Sequence, residues 1–160
     1  MHDTVMSNAA EAAPRTPAGD AFTAFVVEVA SLGHFLTAAG ETLARQGDQS
    51  LARWVILDVI AAQPVTVAEI ARRRGMARQP VQRIADVLVN DGLTSYQANP
   101  NHRRAKLLCL TTAGQAALAT INAKQKDWAD AHGANIGAEQ LNQARELLAS
   151  IRTHISPPDP

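Results

Sequence analysis

The fold of this chain is decided by residues 66–112, TVAEIARRRGMARQPVQRIADVLVNDGLTSYQANPNHRRAKLLCLTT. Thr66 is followed three residues later by Glu69, and this capping-box pattern predicts a helix over 67–74. Gly75 then permits the left-handed backbone conformation in which short helices end. The stretch therefore opens with a short helix and a tight turn.

A second helix is predicted to begin near 77–78 and to end at the Asn90-Asp91-Gly92 turn. Pro80 is compatible with this helix only because it falls in the first turn, where its missing N–H has no helical partner to lose. Apolar residues recur at helical spacing and predict the inward face: Val81, Ile84, Ala85 and Leu88. Two short helices joined by a tight turn form a helix-turn-helix.

The opposite face of the second helix is polar, and its side chains are Arg78, Gln79, Gln82, Arg83 and Asp86. Arginine can bridge guanine O6 and N7, and glutamine can bridge adenine N6 and N7. This choice of side chains favours a recognition helix that reads base edges in a DNA major groove. An ordinary solvated helix face is the alternative interpretation.

Two strands are predicted after the helices, over 93–98 and 105–110, with turn-forming residues at 99–102 between them. The tip carries Arg103 and Arg104, which can reach into a minor groove where the negative potential attracts arginine. Two helices followed by such a hairpin are the plan of a winged helix-turn-helix. The alternative is a plain surface hairpin without a DNA contact.

Charge is distributed unevenly along the chain. The whole chain balances 15 Lys and Arg against 15 Asp and Glu, which by itself does not favour a nucleic-acid partner. Residues 66–110 nevertheless hold eight basic and three acidic residues, a net of +5, and the remainder a net of −5. A positive module can bind phosphates while its acidic surroundings face away from them.

Four further helices are predicted over 20–45, 50–62, 112–128 and 138–154, the first capped by Asp20 and the third by a Thr112–Gln115 capping box. Apolar stripes on the first and last favour pairing with a second copy of the chain, although packing on the chain's own core is the alternative. The predicted fold is mainly α: a winged helix-turn-helix with a small β-hairpin wing, flanked by N- and C-terminal dimerisation helices.

The predicted organisation is a single domain over 20–155, with the winged helix-turn-helix at 50–112 and dimerisation helices at 20–46 and 112–155. Residues 1–19 are small and polar and are expected to be a disordered leader, and 156–160 a short tail. No apolar run is expected to reach the length that spans a bilayer, and the N-terminus lacks a signal pattern, so the expected location is the cytoplasm.

Two segments carry a resemblance to a known family: VAEIARRRGMARQPVQRIADVLVNDGL at 67–93 and NPNHRRAKLLCLTTAG at 99–114. Together they resemble the MarR family of bacterial winged helix-turn-helix transcription regulators. The second segment is similar to the family's Asp-Arg-Arg-x-x-x-x-x-Leu-Thr-x-x-Gly signature. With the flanking helices, the resemblance covers about 20–155.

The resemblance implies a homodimer that places a wing arginine in the minor groove and represses transcription until a small ligand releases it. The sequence therefore predicts a transcription regulator that binds a specific DNA sequence, a pseudo-palindromic operator. The residues predicted to contact DNA are Arg78, Gln79, Gln82, Arg83, Arg103 and Arg104. The alternative is a winged-helix protein-interaction module that regulates another transcription factor without binding DNA itself.

The sequence departs from the family pattern at two positions. His102 stands where the signature usually has the aspartate that holds the wing arginine. Ala77 stands where the recognition helix usually begins with Ser or Thr, and the lost side-chain cap costs about 1 kcal/mol.

Other chemistry is sparse in the sequence. There is no Gly-rich phosphate loop or catalytic motif, and the histidines lack metal-ligand spacing, so we predict no enzyme, cofactor or metal site. Cys109, the single cysteine, excludes an internal disulfide and is expected to be a buried structural thiol. His34 and Trp54 are candidate residues for a cavity that binds a small, aromatic ligand.

Overall fold

The computed structural model describes residues 15–102 and 104–155, and these contain six α-helices and a small three-stranded sheet. The helices are α1 Pro17–Ala44, α2 Leu51–Ala61, α3 Val67–Arg74, α4 Arg78–Asn90, α5 Thr112–Ile136 and α6 Ala138–Ile155; the strands are β1 Val65–Thr66, β2 Thr94–Gln97 and β3 Leu107–Leu110. The predicted mainly α winged helix-turn-helix fold is confirmed. Most of the expected leader and the whole of the tail lie outside the described residues, and the domain boundaries stay a prediction.

The first helix begins three residues earlier than predicted. The Thr16 hydroxyl accepts a hydrogen bond from the Gly19 N–H at 3.1 Å, and Pro17 occupies the first helical position, so Thr16 is the cap and the assignment of Asp20 was wrong. Contacts divide the chain into two compact units, one up to Ala38 and the other from Ala39 onward.

The helix-turn-helix forms with the predicted bounds. The Thr66 side chain accepts from the Glu69 N–H at 3.2 Å, and Gly75 ends α3 in the left-handed region at φ 62°. The predicted capping box is only one-sided, because the Glu69 carboxylate is bound by Arg72 and Arg73. Helix α4 then begins after Ala77, which provides no side-chain cap, as its chemistry predicts.

The sheet is antiparallel with the strand order β1-β3-β2. Strands β2 and β3 form the predicted wing, shorter than expected, with Tyr96 opposite Leu108. The short strand β1 was not predicted; it pairs Val65 with Leu108 and so places the start of α3 at the base of the wing.

The core of the second unit lies where α2, α3 and α4 pack on the sheet. Its largest side chains with no exposed surface include Ile56 and Leu57 of α2, Ile70 of α3, Leu88 of α4 and Leu108 of β3. Burying a large aliphatic side chain contributes roughly 1.5–3 kcal/mol, so these residues hold α4 and the wing in a fixed relation.

A junction at Thr111 connects the wing and α4 to α5. The Thr111 hydroxyl donates to the Gly92 carbonyl at 2.7 Å and accepts from the Gly114 N–H at 3.1 Å, so Thr111 is the cap of α5 and the predicted Thr112–Gln115 box was wrong. The Thr111 N–H also donates to the Leu93 carbonyl. A Cβ atom on Gly114 would lie 2.0 Å from that same oxygen, so only glycine allows this close approach. We name Gly92, Leu93, Thr111 and Gly114 the α5 junction.

The terminal helices expose much of their apolar surface. On α1, Val26, Leu32 and Leu36 are 47–50% exposed, and α6 has no buried residue. The stretch Pro17–Gly47 is long and apolar enough to cross a membrane by length and composition alone. The expectation that no apolar run reaches such a length was therefore wrong.

Candidate nucleic-acid interface

The outer face of α4 presents three of the predicted DNA-contacting side chains to solvent. Arg78, Gln79 and Arg83 are exposed, whereas Val81, Ala85 and Leu88 on the opposite face have no exposed surface. Gln79 and Arg83 lie one helical turn apart and therefore point in the same direction. This polar face is the one that the sequence predicted.

Ion pairs within the chain reduce the number of free basic residues near this face. Arg72 and Arg73 bind Glu69, each at 2.6 Å, and Arg74 binds Asp58 at 2.7 Å. The arginines at the end of α3 thus have carboxylate partners, and the two bound to Glu69 lower the pKa of that carboxyl through their hydrogen bonds.

The basic residues that the structure describes on α4 and the wing have no such partners. Among the described residues, Arg78, Arg83, Arg104 and Lys106 are exposed and form no ion pair. Within the described part of residues 66–110, the basic residues without an ion pair therefore lie on α4 and the wing and not at the end of α3.

Three of these four cations line one open cleft of about 230 Å³. Arg78 comes from α4, and Arg104 and Lys106 come from the wing. The start of α3, at Val67 and Ala68, forms another part of the wall. Helix N-termini present unpaired N–H groups and favour anions, so the cleft has the chemistry of a phosphate-binding surface.

Gln82 differs from the other predicted reading residues because it is half-buried and already hydrogen-bonded. Its Nε2 lies 2.9 Å from Asp86 Oδ1 and 2.7 Å from the hydroxyl oxygen of Tyr96, and that hydroxyl donates to Asp86 Oδ1 at 2.8 Å. Burial, followed by the hydrogen bond to Asp86, raises the pKa of Tyr96 to about 12, so its hydroxyl stays protonated near neutral pH. Tyr96 was missed by the sequence analysis.

The wing tip is organised by short side-chain hydrogen bonds to the backbone. Asn99 Oδ1 accepts from the Asn101 N–H at 3.0 Å, and His102 Nδ1 accepts from the Ala105 N–H at 3.2 Å. His102 thus braces the turn that precedes β3. Arg104 is exposed beside it, and Arg103 lies outside the described residues.

The two predicted ligand-binding residues lie in different units. His34, on α1, is exposed and places its ring edge-on to Phe35, with the ring centroids 6.0 Å apart. Trp54, on α2, lines an open cleft of about 340 Å³ together with Asp58, Arg74, Asn122 and Gln125. Whether either residue binds a ligand stays a prediction.

Cys109 is buried in β3 with 6% of its surface exposed, so the expectation of a buried thiol is confirmed. Burial raises the pKa of this thiol, which disfavours the reactive thiolate.

Comparison with known proteins identifies similar sequences. A sequence model described as the MarR family matches residues 49–105. The chain is 39% identical over 102 residues to an uncharacterized protein of Mycobacterium tuberculosis, covering 64% of this chain and 71% of that protein. It is also 28% identical over 109 residues to the HTH-type transcriptional regulator TcaR of Staphylococcus aureus, covering 66% and 72% of the two chains.

Solved structures share the fold at lower sequence identity. The MarR family transcription regulator SP03579 superposes with a TM-score of 0.76 at 20% identity, covering 84% of this chain and 90% of that one. The Staphylococcus aureus MarR, solved in complex with salicylate and kanamycin, gives a TM-score of 0.71 at 21% identity, covering 81% and 89%.

Proposed function

We propose that this chain, which belongs to the MarR family of transcription regulators, is a homodimeric repressor that binds a pseudo-palindromic DNA operator and is released from it by a small molecule. In this role the α4 face reads the major groove and the wing contacts the adjacent minor groove and backbone. A DNA-bound repressor works where the DNA is, so we also propose a cytoplasmic location.

The observation that carries the proposal is the position of the unpaired cations. Arg78, Arg104 and Lys106 surround one cleft at the start of α3, and Arg83 follows on the exposed face of α4. The three arginines at the end of α3 share two carboxylates of the same chain, those of Glu69 and Asp58. Lys and Arg that lack internal partners are the residues able to replace counterions on DNA phosphates, which dominates the affinity for DNA.

Base recognition would fall to the exposed polar side chains of α4. Gln79 and Arg83 project from the same side of the helix, and Gln and Arg are the side chains that pair with adenine and guanine edges in the major groove. Arg104 in the wing, with Arg103 beside it in the sequence, would enter the minor groove.

Dimerisation is supported by the apolar surface that the terminal helices leave exposed. Phe22, Leu32 and Leu36 of α1 and Leu148 of α6 are each at least 40% exposed. Large exposed apolar side chains on a helix face mark interaction sites in proteins that work in water. A two-fold pair would present two α4 helices to half-sites about 34–36 Å apart, one turn of the DNA helix.

Release by a ligand is supported by the cleft at Trp54. An aromatic ring beside polar side chains suits a small aromatic ligand, and Asn122 and Gln125 supply amide groups. To bind an acid, Arg74 would have to leave its ion pair with Asp58, which lines the same cleft. The Staphylococcus aureus MarR complex with salicylate suggests the first compound to test. His34, on α1, stays a separate candidate for ligand binding.

The proposal is tested by a gel shift of the purified protein on the DNA upstream of its own gene at low salt, with an unrelated duplex of equal length as control. We expect a shift on the upstream DNA that weakens when salicylate is added. A shift that salicylate does not change would contradict the proposed ligand class. The absence of any shift at low salt would favour the alternative, a winged-helix module that acts through another protein.

A further inference from the structure

We propose that Tyr96 is a positioning residue that, with Asp86, turns the amide of Gln82 so that its oxygen faces the DNA and selects bases with an exocyclic amino group. This inference rests on the proposed DNA-binding function and adds the chemical specificity of one position in each half-site. Its basis is a triangle of hydrogen bonds among Gln82 and Asp86 of α4 and Tyr96 of β2, which joins α4 to the wing.

The triangle fixes the direction of the Gln82 amide. Asp86 Oδ1 lies 2.9 Å from the amide nitrogen, and an ionised carboxylate can only accept hydrogen bonds. The opposite amide orientation would place two acceptor oxygens against each other. The nitrogen of Gln82 must therefore face Asp86, and the amide oxygen points away from it.

Tyr96 is hydrogen-bonded to both Gln82 and Asp86. Its hydroxyl donates to Asp86 at 2.8 Å and lies 2.7 Å from the amide nitrogen of Gln82, for which it is an acceptor. Because Tyr96 belongs to β2 and the other two residues belong to α4, the contact crosses from the wing to the recognition helix. A locked rotamer costs less entropy on binding than a mobile one.

The oriented amide lies on the surface proposed to bind DNA. Gln82 and Tyr96 line the same cleft as Arg78 and Arg104. Among the described residues, no hydrogen bond occupies the Gln82 oxygen. This oxygen is therefore an acceptor with a fixed direction, on a residue that lines the same cleft as a helix cation and a wing cation.

A fixed acceptor discriminates among base edges in the major groove. Adenine N6 and cytosine N4 carry amino groups that can donate to it, whereas guanine O6 and thymine O4 are acceptors and would be repelled. A freely rotating glutamine could turn its nitrogen outward and tolerate all four bases. Tyr96 and Asp86 remove that freedom.

The test is selection of binding sites from a pool of random double-stranded DNA, followed by sequencing, for the wild type and for three variants. We expect the wild type to favour adenine or cytosine over guanine and thymine at one position of each half-site, by about tenfold. Gln82→Ala should abolish that preference and so identify the position. Tyr96→Phe and Asp86→Asn should reduce it to about threefold or less. Without the Tyr96 hydroxyl the Gln82 side chain can leave Asp86 for another rotamer, and without the Asp86 carboxylate the amide can turn over.

Lys106→Ala is the matched control, since Lys106 lines the same cleft but lies outside the triangle. It should weaken binding to all sequences alike and leave the base preference unchanged. Base preference is a ratio between sequences, so a partly unfolded variant does not alter it.

An unchanged preference in Tyr96→Phe and Asp86→Asn, or a wild-type preference for guanine or thymine at the position identified by Gln82→Ala, would overturn this inference and leave DNA binding intact. Failure of the wild type to enrich any sequence would overturn the proposed function together with it.

Discussion

Apolar side chains are buried in the helix-turn-helix and its wing, but many are exposed on the terminal helices. In the former, Val81, Leu88 and Leu108 have no exposed surface, while cations are left outside. In the latter, Leu36 of α1 is 49% exposed and Leu148 of α6 is 41% exposed. The aliphatic residues named here thus complete a core in the first region and remain uncovered in the second.

The difference indicates how each region is stabilised. The core of the helix-turn-helix and its wing is formed by residues of one chain, so the fold of this region does not require a partner. The exposed faces of the terminal helices gain their hydrophobic stabilisation only when another surface covers them. We therefore expect the stability of the helix-turn-helix and the assembly of the proposed dimer to be separable properties, so that a substitution can affect one without the other.

The largest expected effect is that of a leucine truncation in the core. Leu88→Ala removes a side chain with no exposed surface and should lower the free energy of unfolding by about 2–5 kcal/mol, measured by urea denaturation. The loss should not depend on protein concentration, because the cavity lies within one chain.

Leu148→Ala is the matched truncation on the terminal helices. This substitution should lower the free energy of unfolding by less than about 1 kcal/mol at low protein concentration, where we expect monomers. The loss should be larger at high concentration, where we expect the dimer to form. If Leu88→Ala and Leu148→Ala lost the same free energy of unfolding at every protein concentration, the stabilities of the two regions would not be separable.

An intermediate effect is expected from a charge placed on the exposed face of α1. Leu36→Asp should convert the dimer to a monomer in analytical ultracentrifugation, because an ionised carboxylate cannot be buried in an apolar interface without a partner. Operator affinity should fall by about a hundredfold, since two linked modules bind far more tightly than one.

Ser31→Asp is the control for this variant. Ser31 is exposed on α1 but lies about 140° around the helix from Leu36, at 100° per residue. It should leave both the dimer and the affinity unchanged. A Leu36→Asp protein that stays dimeric would show that this face of α1 is not the interface.

The smallest effect should come from one cation of the wing. Arg104→Ala should flatten the dependence of log affinity on log salt concentration by about one unit, measured by fluorescence anisotropy between about 50 and 200 mM salt. Lys126→Ala, which removes an ion-paired cation on α5, should leave the slope unchanged. Identical slopes for wild type and Arg104→Ala would remove the wing from the binding mechanism.

Much of the fold was predictable because its signals are local. The bounds of α3 followed from Thr66 and Gly75, which act within a few residues of themselves. The errors also have local causes: Thr111 and Thr112 are adjacent candidates for the same cap, and the Thr16-Pro17 pair was a start signal that Asp20 obscured. Strand β1 could not be predicted, because two residues carry no periodicity and form a strand only by pairing with β3.

The candidate site was predictable only in part. Helical spacing placed Arg78 and Arg83 on the outer face of α4, but it treated Gln82 as equally free. The hydrogen bond between Gln82 and Tyr96 spans 14 residues and depends on how the wing packs on α4. Likewise, the pairing of Arg74 with Asp58 spans 16 residues, so a count of charges could not reveal which arginines are available.

The α5 junction connects α4 and the wing to one end of the long helix α5. Thr111 binds the Gly92 carbonyl and the Gly114 N–H, and the Cβ-free Gly114 sits against the Leu93 carbonyl, so α4, the wing and the first turn of α5 must rotate together. Helix α5 has 25 residues and is therefore about 37 Å long. A tilt of about 10° about its far end would swing the two reading elements by about 6 Å, half the width of a major groove of about 12 Å. In the proposed complex, small angular changes far from the DNA would thus be sufficient to take both elements out of register with it.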